Sequence, residues 1–151
     1  MSLSFKLLGP DDVPTLELLA VRDPEYDLAG RGEPLEPLSP QAARRFLADP
    51  AVLFWVARED GQVAGFLYCL VVPLRSSDEQ ELLLYEIGVR AEFRRRGVGR
   101  LLLDHMEGWM RRNGVGEVWV CADNEAAVNF YRASAFEAPD DQPVYMTRRV
   151  R

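Results

Sequence analysis

Short apolar runs, separated by clusters of glycine, proline and aspartate, divide the chain into segments with strand-like and helix-like spacing. The Asp60-Gly61 pair lies between two apolar runs and predicts a tight hairpin. Ser39-Pro40 is typical of a helix start, and Gly114 of a helix end. The pattern predicts strands over residues 5–8, 53–58, 63–72, 81–89, 117–121 and 144–150, and helices over residues 13–20, 40–48, 98–113 and 124–134.

An antiparallel meander followed by strand–helix–strand–helix–strand predicts the α+β class, a mixed sheet with helices on its faces. With 151 residues and neither repeats nor low-complexity stretches, we expect a single domain over residues 1–151.

The net charge of −6 argues against a general nucleic-acid-binding protein, because such proteins carry excess positive charge. No apolar run approaches the roughly 20 residues needed to cross a bilayer, and no segment is typical of a signal peptide. Cys69 and Cys121 lie in apolar stretches and are expected to be buried thiols, so the predicted location is the cytoplasm. No pattern of metal ligands is visible, and His105 lies at helical spacing with apolar residues, which favours packing.

Three consecutive arginines and two glycines, Arg94 to Gly99, join the strand 81–89 to the helix 98–113. The N–H groups at a helix N-terminus favour phosphate, and glycines let an anion approach the backbone. The segment matches neither the P-loop nor the dinucleotide-binding fingerprint. Two interpretations remain: a phosphate-binding turn, or a basic helix start at the surface.

A glutamate interrupts the apolar strand that precedes this turn. A carboxylate in a buried strand requires a partner or a role, and desolvation would raise the pKa of Glu86 toward that of a general base. The alternative is that Glu86 lies where the sheet opens to solvent. Gly88 indicates a bulge or a close backbone approach.

The segment Asn124 to Phe136 predicts an amphipathic helix that Asn124 caps. Tyr131 lies near its C-terminal end and could present a phenol to a site, or could be a packing aromatic with a satisfied hydroxyl.

These motifs, Gly88-Val89-x4-Arg94-x2-Gly97-x-Gly99-x-Leu101-Leu102 and then Asn124-x2-Ala127-x2-Phe130-Tyr131-x4-Phe136, resemble those of the GNAT superfamily of acyl-CoA-dependent N-acetyltransferases. The resemblance implies a mixed, mostly antiparallel central sheet of six to seven strands flanked by about four helices. It also implies acetyl-CoA as the cofactor, and many relatives are homodimers. One departure is Ala135, which stands where the family commonly has glycine.

The resemblance assigns roles to individual residues. Glu86 corresponds to the general base, acting directly or through water, and Tyr131 to the general acid. Transfer would then be direct, in a ternary complex. The backbone N–H of Ile87 would polarise the thioester carbonyl. The residues expected to bind coenzyme A are Ile87, Gly88, Val89, Arg94, Arg95, Arg96, Gly97, Val98, Gly99, Arg100 and Asn124.

The strand Tyr85–Val89 and the segment from Ala122 resemble the aminoglycoside 3-N-acetyltransferases, whose substrates are polycationic. The acidic character of the chain suits such a small-molecule amine. Loops would set specificity, and the expected substrate-binding residues are Tyr26, Asp27, Glu33, Asp78, Asp140 and Asp141. Two alternatives stay open: acetylation of a protein N-terminus or lysine, and a non-catalytic acyl-CoA sensor. No nucleic-acid or membrane partner is expected.

Overall fold

The computed structural model describes residues 2–26 and 32–151. The chain contains two compact units, one ending at Val120 and the other formed by Cys121–Arg151, and each is described by itself. The predicted substrate-binding residue Asp27 lies outside the described residues.

The first unit is built on a five-stranded sheet whose strands follow one another in chain order. Strands β1 to β4 pair antiparallel and β5 runs parallel to β4, so the sheet is mixed and mostly antiparallel. The predicted α+β class is confirmed, although the described residues form fewer strands than six. The strands are β1 Leu3–Leu7, β2 Val52–Glu59, β3 Gln62–Pro73, β4 Gln80–Val89 and β5 Val118–Val120.

The described residues form four α-helices, α1 Val13–Val21, α2 Pro40–Ala48, α3 Val98–Asn113 and α4 Glu125–Ala133. The Ser39 hydroxyl accepts a hydrogen bond from the Ala42 N–H at 3.2 Å, which confirms the predicted start of α2. Gly114 caps the C-terminal end of α3 with a φ of 68°, a left-handed conformation that glycine adopts easily and that ends a helix. Asp60 and Gly61 both have positive φ and close the predicted β2–β3 hairpin.

Helices cover both faces of the sheet. On one face, Phe54 and Phe66 stack at 5.5 Å and join a buried cluster with Leu19 of α1 and Leu47 of α2. On the other face α3 packs on β3, where the Cys69 thiol lies 3.8 Å from the Met106 sulfur. The first of these faces carries the candidate site.

Two predictions are wrong. Residues 144–150 form no strand, because a strand needs a hydrogen-bonded neighbour and the second unit contains one helix and no strand to pair with. Val144, Tyr145, Met146 and Val150 are accordingly 76–91% exposed. Cys69 is buried as expected, but Cys121 is exposed, since it follows directly after the end of β5.

Candidate active site

Strand β4 contains a bulge at Tyr85. Tyr68 of β3 pairs with Glu86, whereas the next residue, Cys69, pairs with Leu84, so Tyr85 has no opposite residue. The bulge lies three residues before Gly88, where we predicted it. An extra residue in one strand shifts the alternation of all later side chains by one position.

The shift directs the Glu86 side chain away from the core under α3. Leu82 and Leu84 are almost fully buried, and Leu84 pairs with Cys69 on the α3 face of the sheet. Uninterrupted alternation would place residue 86 on that same face. Because of the bulge, Glu86 instead shares a face with its partner Tyr68, which packs against the aromatic cluster.

The same shift reorients the backbone. Before the bulge, the Leu82 N–H donates to the Glu117 carbonyl beside β5 at 3.0 Å. After it, the Arg90 N–H donates to the Ala64 carbonyl in β3 at 2.9 Å. Since direction alternates along a strand, the peptide groups of Ile87 and Val89 point away from β3, whereas those of Gly88 point toward it.

The ladder between β4 and β5 ends at this point. The two strands pair only from Leu82 to Leu84, opposite Val118 to Val120. The outward N–H of Ile87 therefore lies on a part of the β4 edge that β5 does not pair with. Such an edge can hydrogen-bond an extended ligand.

Gly88 is required for packing. A Cβ atom at this position would lie 2.6 Å from the Phe66 ring and 3.0 Å from the Cβ of Tyr26. Both distances are shorter than van der Waals contact allows, so the prediction of a close approach at Gly88 is confirmed.

Glu86 lines a pocket of about 180 Å³ on the face that α1 and α2 cover. Its wall is largely aromatic, formed by Phe46, Phe54, Phe66 and Tyr68. Three further carboxylates line the same pocket, those of Glu17, Asp23 and Glu36. An apolar pocket with a few convergent charged groups is the usual form of a small-molecule site.

Burial at the pocket wall raises the pKa of Glu86 above its usual value, and the negative charge of Asp23 raises it further. The side chain still reaches solvent, so the carboxyl is partly desolvated but accessible. Burial, followed by the charge of Glu86, raises the pKa of the neighbouring Tyr68 phenol. A glutamate with a raised pKa and solvent access has the properties of a general base.

The predicted phosphate turn leads directly into α3. Gly97 has a φ of 78° and precedes the helix, and the first helical hydrogen bond runs from the Leu101 N–H to the Gly97 carbonyl at 3.0 Å. No side chain caps this helix start. Its first N–H groups, from Val98 to Arg100, are thus placed as in known phosphate-binding sites.

The arginines of this turn differ in their partners. Arg94 Nε donates to the Val89 carbonyl at 2.9 Å and ties the turn to the end of β4. Arg96 pairs with Glu59 at 3.1 Å and lies over the Phe93 ring. Arg95 and Arg100 are exposed and form no ion pair within the described part of the chain. Arg95 also has a φ of 62°, an uncommon value for a residue with a side chain.

None of the predicted substrate-binding residues that the structure describes lines the pocket. Tyr26 is 3% exposed and donates its hydroxyl proton to the Val63 carbonyl at 2.7 Å, beneath Gly88. Glu33 and Asp78 are exposed and do not line the pocket. Asp140 and Asp141 are exposed in the second unit. Sequence reasoning missed the pocket residues Glu17, Asp23 and Glu36, although Asp23 and Glu36 belong to the acidic, proline-rich region before α2.

In the second unit, the Asn124 side chain accepts a hydrogen bond from the Ala127 N–H at 2.8 Å, which confirms the predicted cap of α4. Tyr131 is 7% exposed and packs between Phe130 and Phe136. The helix ends in a Schellman motif, with Phe136 N–H donating to the Tyr131 carbonyl and Ala135 N–H to the Arg132 carbonyl. Ala135 has a φ of 68°, the left-handed conformation that glycine adopts more easily.

The bulged strand, the strand edge that β5 does not pair with and the glycine turn before α3 occur together in one mixed sheet, and comparison with known proteins assigns the family. The chain belongs to the acetyltransferase (GNAT) family, whose model matches residues 16–136.

Curated relatives are N-acetyltransferases. N-alpha-acetyltransferase RimI of Mycobacterium tuberculosis is 33% identical over 102 residues, covering 68% of this chain and 63% of that protein. The ribosomal protein bS18-alanine N-acetyltransferase of Salmonella typhimurium is 40% identical over 79 residues, covering 51% and 49%. The chain thus spans about half the length of most of the curated relatives it matches.

Solved structures share the fold. An aminoglycoside acetyltransferase from an uncultured soil metagenomic sample, in complex with sisomicin, superposes with a TM-score of 0.85 at 19% identity and covers 99% of this chain and 97% of that one. A ribosomal-protein-alanine N-acetyltransferase from Brucella melitensis has a TM-score of 0.75 at 19% identity, covering 99% and 100%.

Two further observations concern the described residues only. None of their helices combines the length and apolar character needed to cross a membrane. None of their histidine, cysteine and acidic side chains form a group of three or more that could hold a metal ion.

Proposed function

We propose that this protein transfers the acetyl group of acetyl-CoA to a primary amine that binds in the acidic pocket beside Glu86. The observation that carries the proposal is the bulge at Tyr85. It directs the Glu86 carboxyl into the pocket and turns the Ile87 N–H to the β4 edge, in the strand that leads to the glycine turn. A proton acceptor and a donor for a carbonyl oxygen are thereby held one residue apart.

The residues present fit coenzyme A. The uncapped N–H groups that follow Gly97 would receive the pyrophosphate, and Arg95 and Arg100 would add positive charge. The outward peptide groups of Ile87 and the outward N–H of Val89 would pair with the extended arm. Acetyl-CoA would supply an acetyl group activated as a thioester. The family motif adds Asn124 to this set.

Glu86 would remove a proton from the bound ammonium, directly or through a water molecule. The freed nitrogen lone pair then forms a bond to the acetyl carbon while the carbon–sulfur bond breaks. Ile87 N–H would stabilise the negative charge that develops on the carbonyl oxygen. The resemblance assigns to Tyr131 the proton that the departing thiolate takes up. Neither Cys69 nor Cys121 lies at a family position for an acyl-enzyme, which favours direct transfer in a ternary complex.

The four carboxylates of the pocket favour a cationic small molecule as acceptor, of which aminoglycosides are one type. A second candidate is the N-terminus of a protein, which the names of the RimI and bS18-alanine N-acetyltransferase relatives favour. A terminal amine carries one charge next to a peptide backbone, so it would use less of the acidic lining.

The proposal is tested by coupling release of free thiol from acetyl-CoA to a panel of aminoglycosides, alkyl amines and alanine-terminated peptides. We expect turnover with at least one amine and its loss in Glu86→Gln. Stabilisation by acetyl-CoA in a thermal shift assay, with no turnover on any amine, would favour the acyl-CoA sensor instead.

A further inference from the structure

The pocket beside Glu86 contains two further carboxylates, Glu17 and Glu36, that form no ion pair within the described residues. Its lining includes Glu17, Asp23, Glu36 and Glu86 and contains no lysine, arginine or histidine among the described residues. These carboxylates come from α1, the turn before residue 26, the segment 32–38 and β4, so residues far apart in the sequence converge here. A pocket of one sign concentrates ligands of the opposite sign.

Glu36 is fixed at this pocket by its neighbours. The Leu35 N–H donates to the Ala20 carbonyl of α1 at 3.0 Å, which anchors the segment 32–38 against the helix. Leu35 and Leu38 also line the pocket although each is about half exposed. Glu36 is thus an acidic group between two apolar side chains, and neither it nor Glu17 forms an ion pair within the described part of the chain.

The space between the acidic groups is apolar. The rings of Phe46, Phe54 and Phe66 line this space, and they can pack against methylene groups but cannot form hydrogen bonds with a polar chain. A volume of about 180 Å³ holds about six groups the size of a water molecule or a methylene. This is less than the space that encloses a drug-sized ligand. The lining therefore suits a short apolar chain with a charge at each end better than a peptide or a hydroxylated ring.

We infer that the acceptor is a short dication, with the reacting ammonium at Glu86, an apolar spacer against the aromatic wall, and a second ammonium at Glu36 and Glu17. Only the role of the first ammonium rests on the proposed function. Glu36 is then a specificity-determining residue that does not take part in the proton transfer.

The chain offers a matched control for this residue. Glu33 lies on the same segment and carries the same charge, but it does not line the pocket. Glu36→Gln and Glu33→Gln change the net charge equally, so a difference between them reports position and not the overall field of the protein.

Calorimetric titration of the full chain with 1,4-diaminobutane and with butylamine tests the inference, because the four methylenes and two ammonium groups of the diamine match the roughly six groups that the pocket holds. We expect the wild-type protein and Glu33→Gln to bind the diamine about tenfold more tightly than the monoamine, as one charge-assisted contact provides. In Glu36→Gln this preference should fall to about twofold while butylamine affinity stays unchanged. Equal affinity for the two amines, no binding of either, or an equal loss of preference in both variants would overturn it.

Acetyl transfer to both amines, measured separately, distinguishes this inference from the proposed function. If both amines bind equally and are acetylated at equal rates, the proposed function is supported and the inference of a dicationic acceptor is rejected. Selective binding of the diamine without thiol release supports the dication site and rejects the acetyltransferase function for these amines.

Discussion

Tyr68 and Glu86 lie opposite one another in neighbouring strands, and their side chains therefore project from the same face of the sheet into the same pocket. The pairing exists because Tyr85 is left out of the β3–β4 ladder. It gives Glu86 an environment of aromatic rings and other carboxylates, which raises its pKa.

Replacing Glu86 by glutamine should lower kcat/KM at neutral pH by about 100-fold, because the reacting ammonium loses its proton acceptor. The affinity for acetyl-CoA, measured by calorimetry, should not change. The acid limb of the wild-type kcat/KM profile should have its midpoint above 4.5, the ordinary glutamate value, because the folded-state pKa is raised. An unchanged rate across the pH range would remove Glu86 as the base.

The same substitution carries a stability signature. A carboxyl whose pKa is raised by folding contributes stability that is fully present below its unfolded pKa and is lost as pH rises through the folded pKa. The Glu86→Gln variant lacks this pH dependence because glutamine cannot ionise. The Tm of the variant minus the Tm of the wild type should therefore become more positive as pH rises from acid to neutral. A Tm difference independent of pH would contradict the raised pKa.

Replacing Tyr131 by phenylalanine should lower kcat by about 100-fold if the phenol donates a proton, since ring packing against Phe130 and Phe136 is retained. Steady-state kinetics would measure this, with circular dichroism to verify the fold. Tyr145→Phe is the control, because Tyr145 is 76% exposed in the same unit. Equal rates for the two variants would leave Tyr131 as a packing residue.

The two arginines that follow Arg94 should contribute differently to cofactor affinity. Arg95 is exposed and forms no ion pair in the described residues, whereas Arg96 already pairs with Glu59. We expect Arg95→Gln to weaken acetyl-CoA binding about fivefold, with a smaller effect of Arg96→Gln. Calorimetry at low and high salt would measure both, and a larger loss in Arg96→Gln would reject this assignment.

Adding one methyl group where β3 and β4 approach closely should destabilise the protein. In Gly88→Ala the new Cβ meets the Phe66 ring at 2.6 Å, and in Gly65→Ala it meets the backbone carbonyl of Gly88 at 2.9 Å. We expect each variant to lose about 1–3 kcal/mol in the free energy of unfolding, measured with urea. Gly116→Ala is the control, since a Cβ there meets nothing within 4 Å.

At the end of α4, replacing Ala135 by glycine should stabilise the protein by about 1 kcal/mol, because glycine adopts positive φ without strain. The opposite effect is expected for Ala133→Gly at the last residue of the helix, with less than about 1 kcal/mol of destabilisation because the position is terminal. Thermal unfolding of the pair measures both, and destabilisation by Ala135→Gly would show that the left-handed conformation carries no strain.

Local features were predictable from the sequence because their causes are local. Helix α3 has the predicted bounds, because a glycine lies at each end and apolar residues recur at helical spacing between them. The Ser39 and Asn124 caps and the Asp60-Gly61 hairpin depend on a few adjacent residues in the same way. The strand that carries the proposed base Glu86 and the glycine turn after it were identified by motif.

The pocket was not predictable in this way. The bulge depends on pairing with β3, and the uninterrupted apolar run Leu82–Leu84 contains no alternation that would reveal a change of face. Glu33 and Glu36 have similar surroundings in the sequence, but the backbone hydrogen bond from Leu35 to Ala20 is a long-range contact that fixes which of them reaches the pocket. The absent strand at residues 144–150 likewise depends on whether a partner exists.

The extra residue at Tyr85 makes the proposed site depend on the register of β4 against β3 and not on the length of the strand. Removing Tyr85 would leave Leu84 opposite Cys69 and Glu86 opposite Tyr68 in an uninterrupted ladder, so the Glu86 carboxyl and the Ile87 N–H would keep their directions. Pairing Tyr85 with Tyr68 instead would turn the Glu86 carboxyl toward α3 and the Ile87 N–H toward β3. A slip of β4 by one residue would therefore dismantle the proposed site without any change in composition, and substitutions that favour the slipped register should reduce activity even where Glu86 is kept.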